Sequence, residues 1–223
     1  GFNWYNGTSR VWWLTEKSPK AYWYDGDWSV EHNMPLYEAT GFNNRPTLNL
    51  SGTAGMFFCP DQTAPTLTER KNITLFYVGS HTATSGKYSW IVSTPSATLT
   101  LNLNNNGNSN WYTNSTNSGT LSSSYTGNLY AAITFNINAP SPQAKLYVNG
   151  NLVETGSVYS GFQYNTFMKN IGIGRDVSCQ QTGTCSVTDK FDGKVSEFLI
   201  YDRALTDSER KYVESYLKTK WGL

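Results

Sequence analysis

Two pairs of aromatic residues lie beside polar turn sequences and are of the types that bind sugars. Tyr88 and Trp90 are two positions apart and therefore share one face of a strand. Trp111 and Tyr112 follow the turn sequence Asn104-Asn105-Asn106-Gly107-Asn108. Aromatic rings stack on the C–H faces of sugars, while neighbouring amide side chains hydrogen-bond sugar hydroxyls. These four residues are candidate carbohydrate-binding residues, and the alternative that all four belong to the hydrophobic core stays open.

The three cysteines predict one local disulfide and one remaining thiol. Cys179 and Cys185 flank a short loop containing Gly and Thr, and this spacing allows a disulfide in an oxidising compartment. Cys59 is left over. It is either buried and inert or paired with a partner elsewhere.

Residues arranged for catalysis are not found in the sequence. Retaining glycoside hydrolysis needs two carboxyl groups about 5 Å apart, but Glu197 and Asp202 are five positions apart and face opposite sides of a strand. No nucleophile-elbow sequence G-x-S-x-G occurs. His32 and His81 are far apart and lack neighbours at zinc-ligand spacing. The sequence therefore predicts a protein that is not an enzyme.

The overall composition excludes two classes of partner. The 223 residues include 17 basic and 16 acidic side chains, and charged residues make up only 15% of the chain, which gives no basic footprint for nucleic acid. No apolar run approaches the roughly 20 residues of a membrane helix, so membrane insertion is not expected. Abundant Asn, Ser, Thr, Gly, Tyr and Trp are typical of an extracellular all-β protein. The chain opens without the charged region of a signal peptide, so we expect either that it is part of a longer chain or that a leader was removed. We also expect it to be one module of a longer surface protein.

The pattern of short apolar runs predicts strands separated by turns. Residues 73–78 are apolar on both faces, and Leu99, Leu101 and Leu103 alternate with polar neighbours. Residues 129–137 form the longest predicted core strand, and Asn149-Gly150 is a strong hairpin signal. Nothing between the strands has the sequence pattern of a crossover helix. The sequence predicts an antiparallel β-sandwich that occupies residues 1–223 as a single domain.

The C-terminal residues predict one last strand followed by a surface helix. Residues 194–201 form the strand, with Val195, Leu199 and Tyr201 expected on one face. Thr206 and Glu209 have the spacing of a capping box that starts the helix. One face of the helix is expected to pack on the sheet through the apolar stripe Tyr212, Val213, Tyr216 and Leu217. The opposite face is expected to carry two solvent-exposed i,i+4 ion pairs, Asp207 with Lys211 and Glu214 with Lys218.

The opening of the chain is rich in tryptophan. Residues 1–28 hold five of the eight tryptophans, together with three tyrosines. Such a cluster seals the edge of a sandwich or serves as a platform for stacking sugars, and both interpretations stay open.

The segment from Phe191 to Glu209 reads FDGKVSEFLIYDRALTDSE. It resembles the close of the LamG-like jelly-roll domains of the concanavalin A-like lectin and glucanase superfamily. In that family a strand of the pattern F-D-G-x-[VI]-x-E-[FV]-x-[IV]-Y runs into D-R-A-L-[ST]-x-x-E. Residues 44–50, 146–150 and 171–175 also resemble its strand and turn sequences. The resemblance implies a concanavalin A-like jelly roll with one short C-terminal helix.

The same resemblance implies calcium as a cofactor, because LamG-like relatives often bind it at one rim of the sandwich. Asp176 and Asp189 bracket the loop between the two close cysteines and offer the oxygen ligands that calcium prefers. We expect these two residues to be the metal ligands. Asp192 is interpreted as capping the turn of its own Phe-Asp-Gly sequence.

Three functions compete at this stage. The leading hypothesis is a non-catalytic extracellular recognition module that binds carbohydrate at a cell or particle surface, with a glycan or a surface protein as its partner. The alternative is a protein assembly module, such as the head domain of a pilus, fibre or adhesin, with pilus or fibre subunits as partners. A glycan-active enzyme comes third, because paired carboxylates are lacking.

Overall fold

The structure of the protein is a computed structural model in which the described residues are 2–4, 11–15, 21–24, 36–50, 56–60, 72–81, 88–93, 99–104, 109–113, 116–120, 127–136, 138–140, 142–156, 171–173, 193–201 and 203–223. Side chains are described for most residues of 36–50, 72–80, 127–156 and 193–223. The described residues form two antiparallel sheets and one C-terminal helix.

One sheet has nine strands, and all of its recorded pairings are antiparallel. It draws on the tryptophan-rich opening, on the middle of the chain and on one late short strand. Its order is β1 (Phe2–Trp4), β2 (Val11–Thr15), β3 (Ala21–Tyr24), β6 (Met56–Pro60), β15 (Ile171–Ile173), β8 (Tyr88–Ser93), β9 (Leu99–Asn104), β10 (Ser109–Thr113) and β11 (Thr116–Thr120).

The other sheet has seven strands and is also antiparallel throughout. Its order is β14 (Asn151–Gly156), β13 (Ala144–Val148), β12 (Gly127–Asn136), β7 (Asn72–His81), β16 (Gly193–Tyr201), β5 (Arg45–Asn49) and β4 (Leu36–Phe42). The helix, α1 (Asp207–Trp221), follows β16. The predicted all-β antiparallel fold with one C-terminal helix is confirmed.

Both faces of the seven-stranded sheet are buried at its centre. On one face, the helix face, buried residues of the strands pack with Leu205 and the buried positions of α1; these strand residues are Phe76, Val78, Tyr130, Ala132 and Tyr147. The opposite face, the interior face, carries Leu75, Tyr77, Leu129, Ala131, Ile133, Phe135, Leu146 and Val148, all of them buried. In a sandwich, this interior face is the one that packs against the second sheet.

A β-bulge in β16 changes which residues share a face. The register of β16 with β7 shifts between Val195 and Glu197. Val195 therefore lies with Phe198 on the interior face, whereas Leu199 lies on the helix face. The predicted grouping of Val195 with Leu199 and Tyr201 was wrong, because strict alternation cannot foresee an extra residue in one strand.

The start of α1 confirms the predicted capping box. The Thr206 side chain accepts a hydrogen bond from the Glu209 backbone N–H, and the Glu209 carboxylate accepts one from the Thr206 backbone N–H. Arg203 adds a bidentate pair to the same carboxylate at 2.7 and 2.9 Å. The pKa of Glu209 is lowered to about 2, first by the Arg203 hydrogen bonds and then by those from the Thr206 backbone N–H and hydroxyl.

The packed side of α1 differs from the predicted stripe. The buried residues are Arg210, Glu214, Leu217 and Trp221, and Val213 is partly buried against the same cluster. Tyr212 and Tyr216 are instead 79% and 51% exposed. The prediction is confirmed for Val213 and Leu217 and wrong for Tyr212 and Tyr216, because it assigned every charged residue to the solvent side.

Glu214 forms a buried ion pair with Arg210, not the predicted solvent-exposed pair with Lys218. The Arg210 guanidinium also lies 3.6 Å from the centre of the Tyr147 ring. Burial raises the pKa of Glu214, and the hydrogen bond from Arg210 only partly opposes this shift. The charged pair is thus enclosed between the helix and β13.

The far end of α1 is fixed by polar contacts to the sheet. Asn43 donates to the backbone oxygens of Trp221 and Gly222 at 2.9 and 3.1 Å. Glu197 accepts hydrogen bonds from the Trp221 indole and, at 2.8 Å, from the Lys220 ammonium. Glu197 is therefore bound to side chains of the helix.

Candidate binding face

The four aromatic residues predicted from the sequence lie on β8 and β10, which flank β9 in the nine-stranded sheet. Alternating Leu and polar residues make β9 a strand with two different faces. The strands β9 and β10 pair as consecutive antiparallel neighbours, as the Asn-rich turn between them predicts. The pairing of β9 with each neighbour therefore shows which residues of β8 and β10 share a face of the sheet.

The register places three of the four aromatic residues on one face. In antiparallel pairing, directly opposite residues share a face of the sheet. Tyr88 pairs with Asn104 and Trp90 with Asn102. Tyr112 pairs with Thr100 of the same β9 face. We call this face, which carries Thr100, Asn102 and Asn104, the binding face.

Trp111 lies on the opposite face. It pairs with Leu101, and the face it shares with Leu99, Leu101 and Leu103 is called the leucine face. Continuing across the sheet, Val92 and Ile173 belong to the leucine face as well. Because a sandwich packs its apolar faces together, the leucine face has the composition expected of an interior face, and the binding face has that expected of an outer face.

Amide residues surround the aromatic positions on the binding face. Asn110 pairs with Asn102, and Asn117 pairs with Tyr112, so both lie on this face. From strand spacings, the Cα atoms of Trp90 and Tyr112 lie about 12 Å apart. This span accommodates more than one sugar ring. The sequence prediction did not include any of these asparagines, although the alternation of Asn102 and Asn104 with leucine in β9 was a signal that could have identified those two.

The binding face continues towards the start of the chain as a row of aromatic positions. Trp13 of β2 pairs with Tyr24 of β3, which pairs with Phe57 of β6. The same row reaches Gly172 of β15 and Ser93 of β8. The tryptophan-rich opening therefore contributes to both faces of the sheet, since Trp23 pairs with Phe58 on the leucine face.

Among the titratable side chains that the structure describes, those with shifted pKa values lie in the seven-stranded sheet, in α1 or just before α1. For Glu38, burial raises the pKa, but hydrogen bonds from Lys194 and Asn49 outweigh it and hold the pKa below its usual value. Lys194 also donates to the Gly41 carbonyl at 2.9 Å. These contacts join β4, β5 and β16 of the seven-stranded sheet. Their role is to hold strands together.

The predicted calcium ligands and disulfide fall outside the described residues. This applies to Asp176 and Asp189 and to Cys179 and Cys185. Among the residues that the structure describes, no group of three or more His, Cys, Asp or Glu side chains is placed to hold a metal ion. The described helix is not long and apolar enough to cross a membrane.

Comparison with protein families identifies one match. A profile of the family Laminin_G_3, of the concanavalin A-like lectin/glucanases superfamily, matches residues 62–209. No curated protein sequence matches the chain.

Solved structures with the same fold include toxin binding domains and a domain of a glycan-degrading enzyme. The botulinum neurotoxin serotype D binding domain matches with a TM-score of 0.60 and 16% identity over 94% of this chain and 51% of that chain. The serotype D ligand-binding domain in complex with N-acetylneuraminic acid matches with a TM-score of 0.61 and 15% identity over 93% and 51%. This chain thus spans about half the length of the toxin domains.

The third solved structure matches over the same share of both chains. Domain 4 of AbnA, an extracellular arabinanase from Geobacillus stearothermophilus, in complex with arabinotriose, matches with a TM-score of 0.53 and 16% identity over 78% of both chains. At such identities the likeness concerns the fold. Together with the two sheets and the family match over residues 62–209, it confirms the predicted concanavalin A-like jelly roll.

Proposed function

This chain belongs to the concanavalin A-like lectin/glucanase superfamily, and from this premise we propose that it is a non-catalytic extracellular module that binds carbohydrate through the binding face. The observation that carries the proposal is the register of β8, β9 and β10. It places Tyr88, Trp90 and Tyr112 on one face, among asparagines. Rings for stacking and amides for hydroxyl groups are the two components that a sugar site needs.

What the structural neighbours bind supports a glycan ligand. One toxin neighbour was solved with N-acetylneuraminic acid, and the arabinanase domain was solved with arabinotriose. The other toxin neighbours are binding domains by their own descriptions. The arabinanase is described as extracellular, which agrees with the location we propose.

The absence of catalysis is proposed from the carboxylates that the structure describes. Glu197 is engaged by Lys220 and Trp221, and Glu38 is engaged by Lys194 and Asn49. Both lie in the seven-stranded sheet, and the strands of the nine-stranded sheet contain no carboxylate. A pair of carboxyl groups for glycoside hydrolysis is therefore not found among the described strands.

Calcium and the disulfide remain part of the proposal. Asp176 and Asp189 are the proposed calcium ligands, and Cys179 and Cys185 the proposed disulfide. Thermal unfolding with millimolar calcium and with a chelator tests the metal, because a ligand that binds only the folded state raises Tm. An unchanged Tm contradicts the calcium site. Mass measurement before and after thiol alkylation tests the disulfide.

A glycan array probed with the purified protein tests the function. We expect reproducible binding to a chemically related set of oligosaccharides. The array is run with calcium and with a chelator, so that dependence on calcium assigns the ligand to the proposed metal rim and independence assigns it to the binding face. If no glycan on the array is bound under either condition, the carbohydrate-binding function is contradicted.

A second candidate function is favoured by the exposed tyrosines of α1. Tyr212 and Tyr216 lie one turn apart on the solvent side, and tyrosine is enriched in protein interfaces. This pair would suit attachment to a surface protein or to pilus or fibre subunits. Sedimentation tests self-assembly through this pair: a wild-type oligomer that becomes monomeric when both tyrosines are changed to serine supports it, and a monomeric wild type counts against it.

A further inference from the structure

The strands of the nine-stranded sheet contain no Asp, Glu, Lys, Arg or His at any position. The strands of the seven-stranded sheet do contain such residues, namely Glu38, Arg45, His81, Lys145, Glu154, Lys194 and Glu197. The absence of charge is thus a property of one sheet and not of the whole chain.

The uncharged character extends over both ends of the binding face. Towards β11 the face carries Asn110, paired with Thr120, and Asn117. Towards β2 it carries the aromatic row that starts at Trp13. All of these strand positions offer hydrogen-bonding groups or rings, and none offers a formal charge that a ligand could pair with.

This composition separates two classes of glycan. Recognition of a carboxylate sugar relies on cations, usually Arg or Lys, because charge-assisted hydrogen bonds are about twice as strong as neutral ones. When a carboxylate binds to a face without cations, it loses hydrogen bonds to water and gains no charged partner in their place, which is unfavourable. The hydroxyl groups of a neutral sugar, in contrast, are fully served by amide and hydroxyl side chains.

We propose that the binding face selects neutral glycans and discriminates against acidic ones such as sialylated or uronic-acid oligosaccharides. This inference rests on the proposed function and names the ligand class of the same site. It separates this chain from the toxin neighbour that was solved with N-acetylneuraminic acid. It places the chain with the arabinanase domain, whose ligand arabinotriose is uncharged.

Paired probes test the inference directly. N-Acetyllactosamine is compared with its 3′-sialylated form, and a galacto-oligosaccharide with the galacturonic acid oligomer of the same length. In each pair we expect the neutral member to bind at least about tenfold more tightly, because the acidic member leaves its carboxylate unpaired. We also expect the affinity for the neutral member to change less than about twofold between 0.05 and 0.5 M salt, because only charge pairing is strongly screened.

The outcomes distinguish this inference from the function it rests on. Preference for the acidic members, or an affinity that falls steeply with salt, overturns the inference while leaving a carbohydrate-binding function intact. Lys87 directly precedes Tyr88 in the sequence and is the matched variant for that case. A preference for acidic sugars that is lost in Lys87→Ala assigns the missing cation to this position. If none of these four probes binds, the neutral and acidic members are taken from the glycans bound on the array, and an array without any bound glycan overturns both proposals.

Discussion

The two sheets of the sandwich differ in their content of charged residues and of tryptophan. The centre of the seven-stranded sheet is buried on both faces, and two of its strand carboxylates form ion pairs, Glu38 with Lys194 of the same sheet and Glu197 with Lys220 of α1. The nine-stranded sheet has no charged residue in its strands, and six of the eight tryptophans lie there. The comparison teaches that paired charges accompany the sheet that α1 covers, whereas the sheet without charged strand residues is the one for which we propose ligand binding.

The largest effect is expected at the buried pair beneath the helix. Arg210→Ala leaves Glu214 buried without its partner and should lower the free energy of unfolding by about 3–5 kcal/mol. Urea unfolding measures this loss. Glycan binding of the remaining folded protein should be unchanged, because α1 covers the other sheet.

The exposed pair at the helix start is the matched control. Arg203→Ala breaks a pair whose side chains are 53% and 42% exposed, so its cost should be much smaller. Equal costs for the two arginine variants contradict the assignment of Arg210 to a buried stabilising role. A double change of Arg210→Met and Glu214→Leu should recover most of the lost stability, because apolar residues of similar volume can replace a buried pair.

The two faces of the nine-stranded sheet are compared by neighbouring residues of β10. Trp111→Ala removes a large ring from the leucine face and should cost about 3–5 kcal/mol of stability. Tyr112→Ala should reduce glycan binding with little change in the urea midpoint. If Trp111→Ala instead abolishes binding without destabilising the fold, the assignment of the leucine face to the interior is wrong.

A smaller effect is expected where the β4–β5 hairpin holds the end of α1. Asn43→Gly keeps the left-handed backbone, with φ of 47°, but deletes the hydrogen bonds to Trp221 and Gly222. The expected cost is about 1–2 kcal/mol. Asn44→Gly, at φ of 59°, is the matched control and should be close to neutral, because glycine tolerates positive φ best. A similar loss in both variants would mean that the hydrogen bonds of Asn43 add nothing.

The smallest effect is a pH dependence at the helix start. Because the pKa of Glu209 is lowered to about 2 in the folded state, this carboxylate contributes stability that is present above its ordinary pKa. That contribution is lost as the pH falls from about 4.5 through about 2. Glu209→Gln should therefore flatten the urea midpoint over this range relative to the wild type. An unchanged slope contradicts the role assigned to the capping contacts.

Local sequence signals predicted the local structure well. The capping box of Thr206 and Glu209 is confirmed, and Asn149 and Gly150 adopt the expected positive φ angles of 50° and 82°. The predicted core strand at 129–137 appears as β12, and its side chains from Leu129 to Phe135 are buried. Each of these features depends on residues that are neighbours in the sequence.

Features that depend on distant residues could not be predicted in the same way. The burial of Arg210 and Glu214 depends on Tyr147 of β13, and the bulge after Val195 depends on how β16 pairs with β7. The hairpin at Asn43 was missed because Asn-Asn is a weaker turn signal than Asn-Gly.

The prediction of the candidate site was limited in the same way. Spacing alone indicated that Tyr88 and Trp90 share a face, which the register of β8 confirms. Which of Trp111 and Tyr112 joins them depends on pairing between β8, β9 and β10, and this register is not contained in any one strand.

The central claim is that the binding face holds a glycan. Titration calorimetry that compares Trp90→Ala with the wild type tests this claim most directly. The oligosaccharide bound most tightly on the array is titrated into the wild type, Trp90→Ala and Tyr212→Ala. The last variant removes an exposed ring of α1 and is the matched control. We predict that Trp90→Ala raises Kd at least about tenfold, or about 1.4 kcal/mol, with an unchanged Tm, while Tyr212→Ala binds like the wild type. An unchanged Kd in Trp90→Ala would contradict the claim.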